Sequence, residues 1–188
     1  NEYSSSDYSV LAAITYGNIR LDSENPGSPA PGAPGDGVLD LDIAAISLQY
    51  NWDRWSLTGE YFRQNIDWGD IGGIFSIKPQ TSSESFYVQL EHRLTSDISM
   101  FVRRDIFYMD KDDKDGTKGQ LLDGQPPYTH YAFDWTVGVG WEATPNWLLR
   151  AELHKVEGTA WLATQDNPVG VEKEKNWNMF LLQATYRF

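Results

Sequence analysis

Apolar residues recur at every second position along much of this chain. At its end, Phe180, Leu182, Ala184, Tyr186 and Phe188 are apolar or aromatic, while Gln183, Thr185 and Arg187 between them are polar. A period of two puts alternate side chains on opposite faces of an extended strand. The same alternation groups Ile46, Leu48, Tyr50 and Trp52, then Phe86, Val88, Leu90 and Leu94. It returns in Tyr131, Phe133, Trp135, Val137, Val139 and Trp141, and in Trp147, Leu149, Ala151 and Leu153. The pattern predicts eight strands, over 8–20, 38–52, 55–68, 84–94, 98–109, 130–143, 146–157 and 176–188. No stretch sustains helical spacing, so the expected fold is all-β and no helix is predicted.

The connections alternate between long and short. The long ones are 21–37, with Pro26, Pro29, Pro31 and Pro34, and then 69–83, 110–129 and 158–175. The short ones are Asn51-Trp52-Asp53-Arg54, Thr95-Ser96-Asp97 and Ala143-Thr144-Pro145-Asn146, which carry turn-forming residues. Long loops at one end and tight turns at the other describe an up-and-down meander, an asymmetry typical of bacterial outer-membrane barrels. The Pro-rich stretch also reads as an interdomain linker, but strand-like alternation on both sides favours a loop. The expected architecture is a transmembrane antiparallel up-and-down β-barrel, with eight strands in this chain, half of a 16-stranded barrel or a closed barrel of its own. Residues 1–188 would form a single barrel domain or the C-terminal portion of one.

Aromatic placement is a second signal. Tyr50, Trp52, Trp55, Trp141, Trp147, Tyr186 and Phe188 cluster near the short turns or the terminus, and Trp68, Tyr108, Tyr131, Trp161 and Trp177 lie near the long loops. Two aromatic belts are what the two interfaces of a bilayer select. Strands of about 12 residues, tilted by about 40°, rise roughly 30 Å, enough to cross the apolar band.

The wet face is charged. Trp55–Tyr61 aligns with Trp147–Leu153 and, more loosely, with Met100–Ile106, so Glu60, Asp105 and Glu152 recur one hairpin apart, each preceded two residues earlier by Thr58, Arg103 or Arg150. Gln49, Gln89, Glu91, Arg93, Asp134, Glu142, His154, Gln183, Thr185 and Arg187 join the same face. Two readings fit: a lumen lined by mixed charge, with carboxylates and guanidinia stacked between neighbouring strands, or an ion-pair network filling a small closed barrel. Arg104 falls on the lipid face by period, where a cation at mid-depth costs about 2–4 kcal/mol. A bulge would shift its register, or its guanidinium would reach towards an interface.

Composition narrows the classes. The chain has 188 residues, 27 acidic against 15 basic side chains, a net charge of −12 and no Cys. That removes disulfides, thiolate metal sites and cysteine nucleophiles, and makes nucleic acid a poor partner, because phosphate binding needs a clustered basic face. Mean hydropathy is −0.50, and no run of 18 apolar residues offers a membrane helix. A β-barrel averages out as hydrophilic, so a membrane fits nonetheless. The opening Asn1-Glu2-Tyr3-Ser4 carries no signal peptide, as expected of a mature form or a piece of something longer.

Local chemistry adds little. His92 and His130 read as interfacial; His154, beside Arg150 and Glu152, is the best proton-transfer candidate, with no Ser to pair with it. No metal-ligand spacing emerges. Asp110–Gly116 misses the calcium-loop pattern, because Lys114 takes the fifth position and Gly116 is seventh. A solvated acidic loop tip, with divalent cations bridging it to lipopolysaccharide as the other reading, is expected. No catalytic residue, cofactor or metal is predicted. An outer-membrane lipid hydrolase or protease would lack a nucleophile, and Gly138-Val139-Gly140-Trp141 resembles a lipocalin element at the wrong place in the chain.

Several stretches resemble a known family. Thr144–His154, Val156–Leu162, Asp166-Asn167-Pro168, Phe107–Gly116 and the terminal Tyr186-Arg187-Phe188 look like the C-terminal half of Gram-negative porins, of the group labelled phosphate- or polyphosphate-selective. The likeness covers residues 40–188. It implies a 16-stranded barrel in the bacterial outer membrane, a periplasmic C-terminus read by the barrel-assembly machinery, a homotrimer or monomer surrounded by lipid and lipopolysaccharide, and passive diffusion of small hydrophilic solutes or ions. The chain departs from phosphate-selective members in one respect. Every Lys (78, 111, 114, 118, 155, 173, 175) falls in or beside a long loop, and the lumen charges are slightly acid-rich. Mild cation preference is therefore expected, and the alternative is a closed eight-stranded barrel with a structural or adhesive role through its loops.

Overall fold

A computed structural model describes residues 8–23, 36–69, 80–162 and 171–188. The Pro-rich segment, Lys78 and Asp166-Asn167-Pro168 lie outside the described residues. Eight strands form one antiparallel sheet in the order β1-β2-β3-β4-β5-β6-β7-β8. They are β1 Ser9–Ser23, β2 Gly37–Trp52, β3 Trp55–Asp67, β4 Gln80–Arg93, β5 Ile98–Tyr108, β6 Tyr131–Thr144, β7 Trp147–Glu157 and β8 Asn176–Tyr186. Each strand lies where the period of two places it, and β4 begins four residues earlier than 84. Among the described residues no helix is long and apolar enough to cross a membrane.

The sheet is not closed. β1 pairs only with β2, and β8 only with β7. An eight-stranded barrel has an interior just wide enough for side chains, and the residues that would fill it include Phe62, Tyr87, Phe101, Arg103, Phe107, Arg150 and Trp177.

Pairing registers fix two faces. One row of directly opposed residues runs Ile14, Ile46, Tyr61, Phe86, Ile106, Phe133, Glu157, Asn176. Residues two apart continue that face, which from this row to the short turns is mostly apolar, broken by His92, Arg104 and, at the start of the stretch in β7 and β8, by Glu157, Lys155, Asn176 and Asn178. The other face carries the polar set. Its middle is buried in β5–β7: Phe101, Asp134, Thr136 and His154 are all under 9% exposed, whereas Trp135 and Val137, on the opposite face, are each 53% exposed. A single sheet buries one face without a covering layer where it bends towards that face.

The short turns follow their chemistry. Trp52 and Trp55 pair directly across Asp53-Arg54, and Asp53 takes a positive φ of 50°, a conformation that two-residue hairpins require and Asp tolerates. The turn after β6 carries the register shift between Glu142 and Thr144. The long connection 110–129 departs from expectation, because it holds a helix, α1, at Thr117–Asp123 and a 3-10 turn at Pro127–Thr129. Helical periodicity cannot flag seven residues; the signals were the glycines at both ends. Gly116 and Gly124 each adopt the left-handed conformation, and the buried Asp113 carboxylate accepts the Lys118 and Gly119 amides at 3.1 and 2.7 Å. Those are orphan donors of the first turn.

Candidate functional site

The polar face is built as rows, because antiparallel register sets which residues of neighbouring strands stand side by side. Gln49, Thr58, Gln89, Arg103, Thr136 and His154 make one row. Glu60, Tyr87, Asp105, Asp134 and Val156 make the next row towards the long loops. Glu91, Phe101, Gly138 and Glu152 lie one row towards the short turns. Beyond them come Arg93, Ser99, Gly140, Arg150 and Gln183. Every strand residue expected in a lumen therefore stands on this one face. Arg187 follows β8, its amide donating to the Asn146 carbonyl at 2.8 Å.

The internal repeat maps less simply. Glu60 and Asp105 share a row, but Glu152 stands two rows closer to the short turns, because the sheet is staggered. The ion pairs also run differently from the expected stacking between strands. Arg103 Nε donates to Asp105 Oδ2 at 2.8 Å, and Arg150 Nη1 lies 3.8 Å from Glu152 Oε1. Both pairs are two residues apart on one strand, the spacing that keeps side chains on one face.

One cluster does bridge strands. With its proton on Nδ1, His154 donates to Asp134 Oδ2 at 2.6 Å. Thr136 Oγ1 donates to the same oxygen at 2.9 Å and lies 3.0 Å from Nδ1. His154 Nε2 lies 3.2 Å from Glu152 Oε2. A nucleophile–base–acid relay needs its hydroxyl and its carboxylate on different imidazole nitrogens. Here Thr136 and Asp134 crowd the same nitrogen, and Thr136 is fully buried. The arrangement locks three strand positions together and offers no exposed nucleophile. Among the described residues, no group of three or more His, Asp or Glu is placed to hold a metal ion.

Sequence reasoning missed the stack beside this cluster. A Cβ on Gly138 would meet the Phe101 ring at 2.4 Å, so the ring lies directly on the glycine backbone. The Arg150 guanidinium sits 5.4 Å from the centre of that ring, within cation–π range. The available signal was a glycine on the polar face of an otherwise bulky strand, which marks a close approach.

On the apolar face, Arg104 stays in register. No bulge occurs in β5, and its guanidinium lies 5.6 Å from the Phe133 ring and 5.1 Å from the Trp135 ring. The aromatic residues gather in two groups. Tyr50, Trp52 and Trp55 stack in sequence at the short turns, with centroids 5.3 and 6.3 Å apart, and His92 lies 4.1 Å from the Trp55 ring. Trp141 shares that face, and Trp147 packs on Tyr186 at 5.0 Å. Towards the long loops, Tyr108 and Tyr131 flank Phe133 at 5.6 and 4.7 Å. Trp177 stands instead on the polar face opposite Val156, with its indole N–H donating to the Gly158 carbonyl at 2.9 Å. Trp68 and Trp161 lie just beyond β3 and β7, and Phe188 is fully exposed after β8.

The long-loop end is acidic and organised. A cavity of about 640 Å³ is lined by Asn18, Asp40, Asp42, Asp67, Asp110 and Asp112 among others. Within 110–116 the carboxylates serve the backbone: Asp115 accepts the Thr117 amide and hydroxyl at 3.1 and 2.8 Å, which lowers its pKa below the usual carboxylate value. Lys114 reaches Glu84 at 2.6 Å, and that hydrogen bond raises the ammonium's pKa. His130 lies 3.1 Å from Asp123 of α1. The connection after β7 is tied to 110–129, with the Thr159 amide donating to the Tyr128 carbonyl at 2.8 Å and Tyr128 Oη to the Lys173 carbonyl at 2.9 Å.

Comparison with protein-family models, curated protein sequences and solved structures returned no match.

Proposed function

We propose that this chain forms the wall of an outer-membrane diffusion pore, a porin that passes small hydrophilic solutes or ions with mild cation preference. The observation that carries the reading is the two-faced sheet: one face apolar and exposed between two aromatic groups, the other charged along its centre. Water cannot satisfy strand edges in hydrocarbon, so membrane strands close into barrels, apolar side out. The exposed apolar residues Ile14, Leu48, Val88, Val137, Leu153 and Leu182 all fall on one face, over six different strands. In water such a surface would be an aggregation liability.

Charge supports the selectivity. On the polar face Glu60, Glu91, Asp105, Asp134, Glu142 and Glu152 outweigh Arg93, Arg103 and Arg150. Rings of carboxylates in a pore favour cations. The resemblance to phosphate- and polyphosphate-selective porins supports the pore and leaves its selectivity to the charges of this chain. The C-terminal strand, ending in Tyr186-Arg187-Phe188, is then the segment presented to the barrel-assembly machinery at the periplasmic side, with lipopolysaccharide against the long loops.

Planar-bilayer recording under a salt gradient tests the proposal. Discrete conductance steps with a reversal potential of cation-selective sign are expected. Steps of anion-selective sign would overturn the preference. Silence from folded, inserted protein would overturn the pore and favour the closed eight-stranded barrel acting through its loops.

A further inference from the structure

The apolar face carries two cations for which hydrocarbon offers no partner, and their setting supports an inference that rests on the pore reading. Arg104, Trp135, Lys155 and Asn178, on β5 to β8, form one row of directly opposed residues. The row belongs to the face that bears Ile106, Val137 and Leu153. Arg104 leans over β6, with its guanidinium 5.1 Å from the Trp135 ring and 5.6 Å from the Phe133 ring. Lys155, on the far side of Trp135, is exposed. Adjacent strands are about 4.8 Å apart, so the backbones of β5 and β7 are separated by about 10 Å. Two long side chains turned towards each other span that gap.

Cations elsewhere on this face are matched. Arg20 of β1 lies 3.4 Å from Asp40, and Arg63 of β3 donates to Asn65 at 3.2 Å. Glu157, the carboxylate two residues beyond Lys155, is taken by Lys175 at 2.8 Å. Among the described residues, no carboxylate forms an ion pair with Arg104 or Lys155. The two present uncompensated positive charge on a chain whose net charge is −12.

A groove adjoins them. It has a volume of about 510 Å³ and is lined by Trp135, Val137, Leu153, Lys155, Asn178 and Phe180 among others. Lys155 and Asn178 stand two residues nearer the long loops than Leu153 and Phe180, so the groove is polar at one end and apolar at the other. Val137, Leu153 and Phe180 are each more than half exposed. On β7 and β8 the apolar band ends here, because Glu157 and Asn176 follow on the same face. A cation at the border of the band costs far less than one at mid-depth, and a lipid anion at that depth attracts it.

We propose that this row binds an anionic lipid, with the phosphate between Arg104 and Lys155 and one acyl chain in the groove against Val137, Leu153 and Phe180. Arginine offers phosphate a two-pronged fork and lysine a point charge, while the Trp135 indole suits the headgroup level. A lipid fits better than free phosphate, which would leave the apolar end of the groove uncovered.

Quenching of tryptophan fluorescence by brominated acyl chains tests the site. The chain is refolded into phosphatidylcholine vesicles holding a small fraction of brominated phosphatidic acid, or the same fraction of brominated phosphatidylcholine. Stronger quenching by the anionic lipid is expected, corresponding to a local enrichment of about fivefold or more. Arg104→Gln/Lys155→Gln should abolish the excess and Arg20→Gln should keep it. Trp135→Phe, which leaves both charges in place, should remove most of it. Equal quenching by the two lipids in inserted wild type would overturn the site and leave the pore reading standing. An excess that survives Trp135→Phe or Arg104→Gln/Lys155→Gln would do the same, because the lipid would then lie elsewhere. Loss of the excess when inorganic phosphate replaces chloride at equal ionic strength would overturn the lipid in favour of free phosphate. Failure of wild type to insert would overturn both readings.

Discussion

The β5–β7 region and the β1–β2 hairpin follow the same binary pattern yet are held together differently. In β5–β7 the polar face is closed: His154, Asp134, Thr136 and Glu152 interlock, Phe101 lies on Gly138, and two loops tie the top. In β1–β2 side-chain bonds instead lie at the surface on the other face, such as Tyr16 Oη and Asn18 Nδ2 to Asp42 at 3.1 and 2.9 Å, and residues on both faces of β1 are open. Hydrogen-bonded ladders alone give regular strands; buried side-chain networks decide which strands form the rigid part. A strand with one neighbour keeps its edge available for another.

The sharpest way to break the contrast is to strip each region of one carboxylate. Asp134→Ala removes the carboxylate that accepts from both His154 and Thr136 in the buried cluster and should cost about 1–3 kcal/mol. Asp42→Ala, in the exposed hairpin, should stay within about 0.5 kcal/mol. Denaturant unfolding measures both, and equal losses would erase the distinction.

Glycine substitutions come next. Gly138→Ala drives a methyl into the Phe101 ring and should cost about 1–3 kcal/mol. Gly17→Ala has nothing within 4 Å and should gain about 0.5 kcal/mol by restricting the unfolded chain. The same unfolding assay reads both, and a neutral Gly138→Ala would show that Phe101 moves freely. Smaller again is the Arg103–Asp105 pair, whose side chains are 26% and 19% exposed. A double-mutant cycle should return a coupling of about 1 kcal/mol or less.

The smallest effect is electrostatic and local. The folded-state pKa of Asp115 is depressed by the Thr117 amide and hydroxyl, so its contribution is full above the ordinary carboxylate pKa of about 4. It is lost as pH falls through the lower folded value. Hydrogen exchange at the Thr117 amide should quicken there relative to the intrinsic rate, with little change in the Asp113-capped Gly119 amide.

Much of the fold was legible because a strand's two faces are written in its own sequence. The strand positions, the short and long connections and the membership of the polar face all followed from alternation. Residue spacing could not say that Glu152 stands two rows from Glu60, or that Asp134 is the partner of His154. Those facts depend on register between strands distant in sequence. Trp177 illustrates the limit within one strand: its position near a long loop suggested an interface, while parity with Met179 and Leu181 places it on the polar face. Helix α1 was hidden because seven residues do not establish a period, and its caps act through a folded loop.

Sequence by itself determined eight strands, their amphipathic sense and the acidic excess of one face, because these depend on each residue's chemistry and on a local period of two. Tertiary structure alone decided the stagger, the buried His154 network and the open edges. Those arise from pairing and curvature across strands, which no local pattern encodes.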